Sequence, residues 1–251
     1  MRNRFQLTSV SIVIVIILWA GTTVCNGQSQ TISDDDDIPV VNYDAPPPTN
    51  PEERRIRETR GRKYDGAPPL TAWEGQSDVF DLLPAGQPAE EALPIQTSDL
   101  IVIGTAVDSK AYLSNDKTNV YSEFQIYVTK VLKQNSAAQV YTGSTVTAER
   151  GGGRVRFPSG HILLRGDSGR NLLTKESRYV LFLGWDANGK DYLIRTGYKV
   201  TNDLVYPLDG YPTINPNLTN SGLFKNFEEY KNTPLSGFLS KLAKSISNPK
   251  K

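Results

Sequence analysis

From Leu100 onward, apolar residues fall into short runs that alternate with polar residues or cluster, and each run is bounded by turn-forming residues. Leu100 to Val107 (LIVIGTAV) is a continuous, largely β-branched run with Gly104 near its centre, which predicts a buried strand bent at the glycine. After the polar turn Ser114 to Lys117, the stretch Val120 to Leu132 places Phe124, Ile126 and Val128 on one face and Glu123, Gln125, Tyr127 and Thr129 on the other. Strict alternation of this kind predicts one dry face and one wet face. Further strands are expected at Ser144 to Arg150, Arg154 to Phe157 and Ile162 to Leu164, with Gly151 to Gly153 breaking the first from the second. Arg178 to Trp185 (RYVLFLGW) is the most apolar strand of the second half, and Asn188-Gly189 separates it from Tyr192 to Ile194 as a hairpin turn would. Tyr198 to Val200 and Leu204 to Tyr206 continue the meander. Leu235, Phe238, Leu239, Leu242 and Ile246 recur at three- and four-residue spacing, which predicts an amphipathic helix, with Thr233 as its N-cap and Pro234 as its first residue.

Six to eight short strands without helical segments between them point to a barrel or sandwich rather than to βαβ units. The expected fold is mainly β: a small OB-like Greek-key barrel over residues 97–212, a C-terminal loop and amphipathic helix over 213–251, and a long disordered N-terminal segment. The order Ser98 to Val107, Ser122 to Lys133, Gly143 to Thr147 and Glu176 to Leu183 resembles the strand signature of netrin-like, metalloproteinase-inhibitor-like OB barrels, over roughly residues 98–200. The resemblance implies a fold and no function, because the cysteines that frame that family, including the N-terminal one through which its inhibitors chelate a metal, have no counterpart here.

The first residues carry the grammar of an export signal: Arg2 and Arg4, an apolar run from Val10 to Ala20, then small and polar residues. Cleavage after Gly27 is expected, giving a leader at 1–27 and an exported protein that is periplasmic, secreted or on the surface. The alternative is a retained anchor at 7–24, the one route by which the chain would be fixed in a membrane. Cys25 is the single cysteine and lies in this segment, so a chain beginning at Gln28 has no disulfide and relies on its core. That suits a bacterial envelope protein. Residues 28–96 hold an acidic run (Asp34 to Asp37), a proline run (Pro46 to Pro48) and few periodic apolar residues, and read as a disordered linker with a helical turn or two starting at Asn50-Pro51. Within them Arg54, Arg55, Arg57, Arg60, Arg62 and Lys63 form a basic cluster, read as a solvated linker, with anion or membrane docking as the alternative. Trp73, Val79, Phe80, Leu82 and Leu83 are an apolar group expected to pack back on the domain.

Composition adds exclusions. Lys+Arg number 28 and Asp+Glu 27, a balance that gives no long-range pull toward nucleic acid. His161 is the single histidine, so His-dependent triads and His/Cys-rich metal sites are excluded, no catalytic or metal-ligating residue is assigned, and no cofactor is expected. His161 reads as a turn residue. Paired carboxylates from Asp108, Glu123, Glu149 or Asp167 remain open without a pair being singled out. Arg150-Gly-Gly-Gly-Arg154 offers backbone N–H groups beside guanidinium charge, although a bulged turn is the preferred reading. The loop from Asp186 to Asp191 lacks the register of a calcium site. Tyrosine is abundant, at 12 residues, and tyrosine-rich barrel faces stack on sugars or bases. The candidate ligand-binding residues are therefore Tyr121, Tyr127, Arg150 and Arg154, in an exported, non-enzymatic binding or interaction module for an unknown protein or carbohydrate. The alternative is a carboxylate-dependent hydrolase.

Overall fold

The computed structural model describes residues 38–70, 90–135, 138–166, 169–210 and 224–248. The expected leader, the apolar group at 73–83, Asp167 and the first part of the C-terminal loop lie outside them.

Five long strands build the barrel: β3 (Leu100–Leu113), β4 (Val120–Gln134), β5 (Thr145–Gly151), β8 (Arg178–Asp186) and β9 (Asp191–Thr201). β3 pairs antiparallel with β4 and with β8, β4 with β5, and β8 with β9. A parallel contact between β5 and β9, with Ala148 opposite Tyr192 and Glu149 opposite Leu193, closes the ring. This order, with its one parallel junction, is that of an OB barrel. β10 (Leu204–Pro207) and β12 (Thr233–Pro234) extend the sheet beyond β9. β6 (Gly153–Arg156) and β7 (Ile162–Arg165) form a hairpin, and β1 (Val40–Asn42) adds in parallel to β6. β2 (Glu90–Glu91) and β11 (Phe224–Lys225) make a short parallel pair.

The barrel interior is filled by the residues whose alternation predicted it: Phe124, Ile126 and Val128 from β4, Val146 and Ala148 from β5, Tyr179, Leu181 and Leu183 from β8, and Tyr192 and Ile194 from β9. β3 and β8 are continuous apolar runs because both of their faces are covered. Their second faces, through Ile101, Ile103, Val180 and Phe182, pack with Tyr198, Tyr230, Phe238 and Leu242 beneath the C-terminal helix α2 (Leu235–Ser247). α2 begins one residue later than expected, because Thr233 and Pro234 are used in β12, and Pro234 is the cap. Gly104 marks a register shift between β3 and β4; a side chain there would meet Ile126 Cγ2 at 2.6 Å and the Tyr127 carbonyl at 2.9 Å. The runs at Tyr192 and Tyr198 are one strand rather than two.

The largest correction concerns the expected disordered linker. Residues 38–70 are structured and lie on the barrel: β1 extends the β6–β7 sheet, and Pro51–Gly61 form helix α1, followed by a 3-10 turn at Arg62–Tyr64. The helix starts where Asn50-Pro51 predicted, with the Asn50 side chain accepting from the N–H of Glu52 (2.9 Å) and Glu53 (3.3 Å) and Pro51 in the first turn. The domain therefore includes residues well before 97. Composition missed this because α1 (PEERRIRETRG) holds one large apolar residue, Ile56, so no hydrophobic period announces a packed helix.

Candidate functional site

Because Phe124 and Ile126, Val146 and Ala148, and Tyr192 and Ile194 point into the barrel, their neighbours Glu123, Glu149 and Asp191 point out of it. Glu123 and Glu149 are directly opposite across β4 and β5, and the parallel junction brings Asp191 beside Glu149. Each contributes an oxygen to a cluster in which these atoms lie within 4.8 Å of one another. All three residues are buried, at 5 %, 0 % and 1 % exposure. They are outward-facing and still dry, because α1 covers them.

Arg57, Arg60 and Lys63 follow one another at three-residue spacing and turn to the same side of α1 and the 3-10 turn. Arg57 Nη1 and Arg60 Nη1 both donate to Glu123 Oε1, the latter at 2.8 Å. Arg60 Nε lies 2.8 Å from Asp191 Oδ2, and its Nε and Nη2 donate to the Gly189 carbonyl at 3.1 and 2.9 Å. Lys63 pairs with Glu149 and, at 2.6 Å, with Asp186; the Tyr64 hydroxyl donates to Glu149 at 3.1 Å. The loops on either side of the strand face also hold this segment: Asn115 donates to the Glu58 carbonyl (2.9 Å), and Asp116 accepts from the Gly66 N–H (2.7 Å). A side chain at Gly189 would meet Asp186 Oδ2 and Asp191 Oδ1 at 2.6 Å each, so a larger residue there has to displace these carboxylates. The hairpin expected from Asn188-Gly189 is present, with Asp186 accepting from the N–H groups of Asn188 and Gly189.

Four acids (Glu123, Glu149, Asp186, Asp191) face three cations (Arg57, Arg60, Lys63). Burial, followed by the neighbouring Glu149 charge, pushes Asp191 up to about 8. A proton held on Asp191 brings the cluster to three charges of each sign. Asp186 behaves oppositely: burial works against its ionisation, but hydrogen bonds from Lys63 and two backbone N–H groups outweigh it and hold the carboxyl below its ordinary value. The Tyr64 hydroxyl is driven well up by burial and by Glu149. A carboxylic acid beside ionised carboxylates is the arrangement of an acid/base pair, and three hard oxygens suit a divalent cation. Here the guanidinium and ammonium groups of the covering segment take the places that a substrate or cation would need.

The sequence-predicted site residues separate. Tyr121 is buried, not on a wet face, stacked between Tyr64 (4.8 Å) and Tyr112 (5.6 Å). Tyr127 is on the wet face, 45 % exposed, with Gln125 and Thr129. Arg150 is buried and committed: Nη1 and Nη2 each donate to an Asp209 carboxylate oxygen at 2.7 Å, and to the Asn171 and Arg195 carbonyls. Arg154 is on β6, apart from Arg150, and the intervening glycines form the bend between β5 and β6, with φ of 112° at Gly152 and 152° at Gly153. His161 precedes β7 beside Phe157, as a turn residue would. Sequence reasoning missed Arg57, Arg60, Lys63 and Asp191 as one site; the three-residue spacing of the cations after a helix start was the available signal. No protein-family model matches this chain, and no curated protein matches it by sequence.

Proposed function

We propose that this chain is an exported, non-enzymatic interaction module whose barrel face across β4, β5 and β9 receives a basic helix, a place held here by the chain's own α1. The observation that carries this reading is the chemistry of the contact. α1 is held on the face by Arg57, Arg60 and Lys63 with one large apolar residue in the whole helix, so the contact is ionic and selective rather than a hydrophobic seam. In OB barrels, the outer face of the second and third strands and the loops flanking it is where ligands are recognised. In this chain those strands are β4 and β5, and the loops are the ones carrying Asn115, Asp116 and Asp186.

The hydrolase alternative needs the same carboxylates open to a substrate, and they lie beneath α1. Export follows from Arg2, Arg4 and the apolar run to Ala20. Among the described residues, no helix is long and apolar enough to cross a membrane.

A fluorescent peptide of residues 48–67, added in trans to the full chain, tests the reading. The Arg60→Gln chain, whose own helix is loosened, should bind it, and binding should weaken at about 0.5 M salt. A peptide with Arg57, Arg60 and Lys63 changed to Gln should not bind. Equal binding of both peptides would end the proposal, and carboxylate-dependent hydrolysis by the Arg60→Gln chain would move it to the alternative.

A further inference from the structure

Beside the ion-paired cluster is a groove of about 810 Å³, bounded by the proline run 46–48, by α1 and by the β3–β4 hairpin. Its volume falls within the range of small-molecule sites. Arg54, Arg57, Arg62 and Lys117 line it against a single acid, Glu58, so its field is positive.

These cations keep donors in reserve. Arg54 spends Nε and Nη2 on the Pro48 carbonyl, at 3.2 and 3.1 Å, and retains Nη1. Lys117 gives one N–H to the Tyr43 carbonyl at 3.2 Å. Arg62 is exposed, and its side chain makes no hydrogen bond or ion pair among the described residues. Deeper in, the Arg57 guanidinium lies 3.6 Å from the centre of the Tyr112 ring, and Tyr112 stacks on Tyr121. Tyr121 is fully buried and lines the groove, its hydroxyl set against the buried Arg57 guanidinium without a hydrogen bond of good geometry, and Arg57 Nε lies 3.9 Å from Glu53 Oε1. A buried donor without a good partner is destabilising, so a ligand that supplies one gains affinity. An acceptor reaching the floor of the groove would partner the Tyr121 hydroxyl.

We infer that this groove binds a small organic anion, with its head on Arg62, Lys117 and the free Nη1 of Arg54, an acceptor reaching toward Tyr121, and an apolar body against Tyr112 and the prolines. The inference rests on the chain being a binder rather than an enzyme, and it does not depend on the basic-helix reading, which uses the other side of Arg57.

The full chain titrated with 1-anilinonaphthalene-8-sulfonate, followed by its fluorescence, tests this. Binding should saturate at one site, and 2-naphthoate or 1-naphthyl phosphate should displace the probe, the stronger of the two naming the head group. The neutral 2-naphthalenemethanol should not displace it. Arg62→Gln and Lys117→Gln, both at exposed positions, should each weaken the probe roughly tenfold, as loss of a charge-assisted bond does. Tyr121→Phe should weaken it severalfold without lowering the urea midpoint of the free chain, because that hydroxyl has no well-formed hydrogen bond to lose. Displacement by the neutral compound, or affinities unmoved in the Arg62 and Lys117 variants, would overturn the inference. The trans-peptide experiment reads neither effect, so failure of one proposal is distinguishable from failure of the other.

Discussion

Glu123 and Glu149 stand directly opposite one another on neighbouring strands, both buried, and neither is paired with a cation of its own strand. Like charges in that relationship destabilise a sheet, and in a dry environment the penalty grows. The compensation arrives from a segment far away in the chain, through Arg57 and Arg60 on Glu123 and Lys63 on Glu149. The barrel and residues 50–66 are therefore one electrostatic unit.

Arg60 should be the residue on which this unit depends. It is 7 % exposed and reaches Glu123, Asp191 and the Gly189 carbonyl. Arg60→Ala leaves buried carboxylates uncompensated and should cost about 3 to 5 kcal/mol of α1 docking. Hydrogen exchange should show amides of 52–61 losing protection while β4 and β8 keep theirs. Arg55→Ala, which removes an exposed pair with Glu52, should change nothing measurable.

Gly189→Ala tests the same contact from the barrel side. Its added methyl would meet two carboxylate oxygens at 2.6 Å, so those carboxylates must shift, and their pairs with Lys63 and Arg60 are disturbed. A loss of about 1 to 3 kcal/mol in urea unfolding is expected, with protection of α1 falling first.

The Asp191 carboxyl makes stability depend on pH. Its proton is held more tightly in the folded state, with a pKa near 8, than in the unfolded chain, near 3.8. Folding thus takes up a proton between those values, and stability should fall as pH rises through that window. Asp191→Asn, which imitates the protonated acid, should flatten the slope of the urea midpoint between pH 5 and 8. Below about pH 4 the opposite sign applies to Asp186, whose depressed carboxyl loses its contribution as it protonates.

In the core, Phe124→Ala should cost about 3 to 5 kcal/mol, because the ring is fully buried inside the barrel and leaves a cavity. Tyr127→Ala, three residues along the same strand and 45 % exposed, should cost less than ~1 kcal/mol. Denaturant unfolding of the pair checks the register of β4, since a slip by one residue exchanges the faces.

The contrast between those two residues also marks how far the sequence was legible. Alternation along β4 assigned Phe124, Ile126 and Val128 to the interior correctly, and the continuous apolar run at the start of β3 announced a buried strand. Alternation reports which residues share a face; it is silent on what lies over that face. Glu123 and Tyr121 share the outward side with Tyr127, and whether they are wet depends on α1, a helix with almost no apolar signal. Charged residues that pair across long sequence separations leave no hydrophobic period, and the three-residue spacing of the cations does not name their partners, so Arg57 and Arg60 read as linker and Asp191 as part of a turn. Arg150 failed for a related reason: its glycine-rich neighbourhood suggested an open anion site, whereas its partner Asp209 is distant in sequence.

The parallel junction of β5 with β9 joins just two residue pairs, Ala148 with Tyr192 and Glu149 with Leu193. It is the shortest seam in the ring, and a barrel that opens transiently would open there. Lys63 grips Glu149 on one side of that seam and Asp186 on the other, while Arg60 ties Glu123 on β4 to Asp191 on β9. The N-terminal helix therefore acts as a suture across the seam. Whatever displaces it would also lower the barrier to unrolling the barrel, so occupancy of the outer face is coupled to the breathing of the interior.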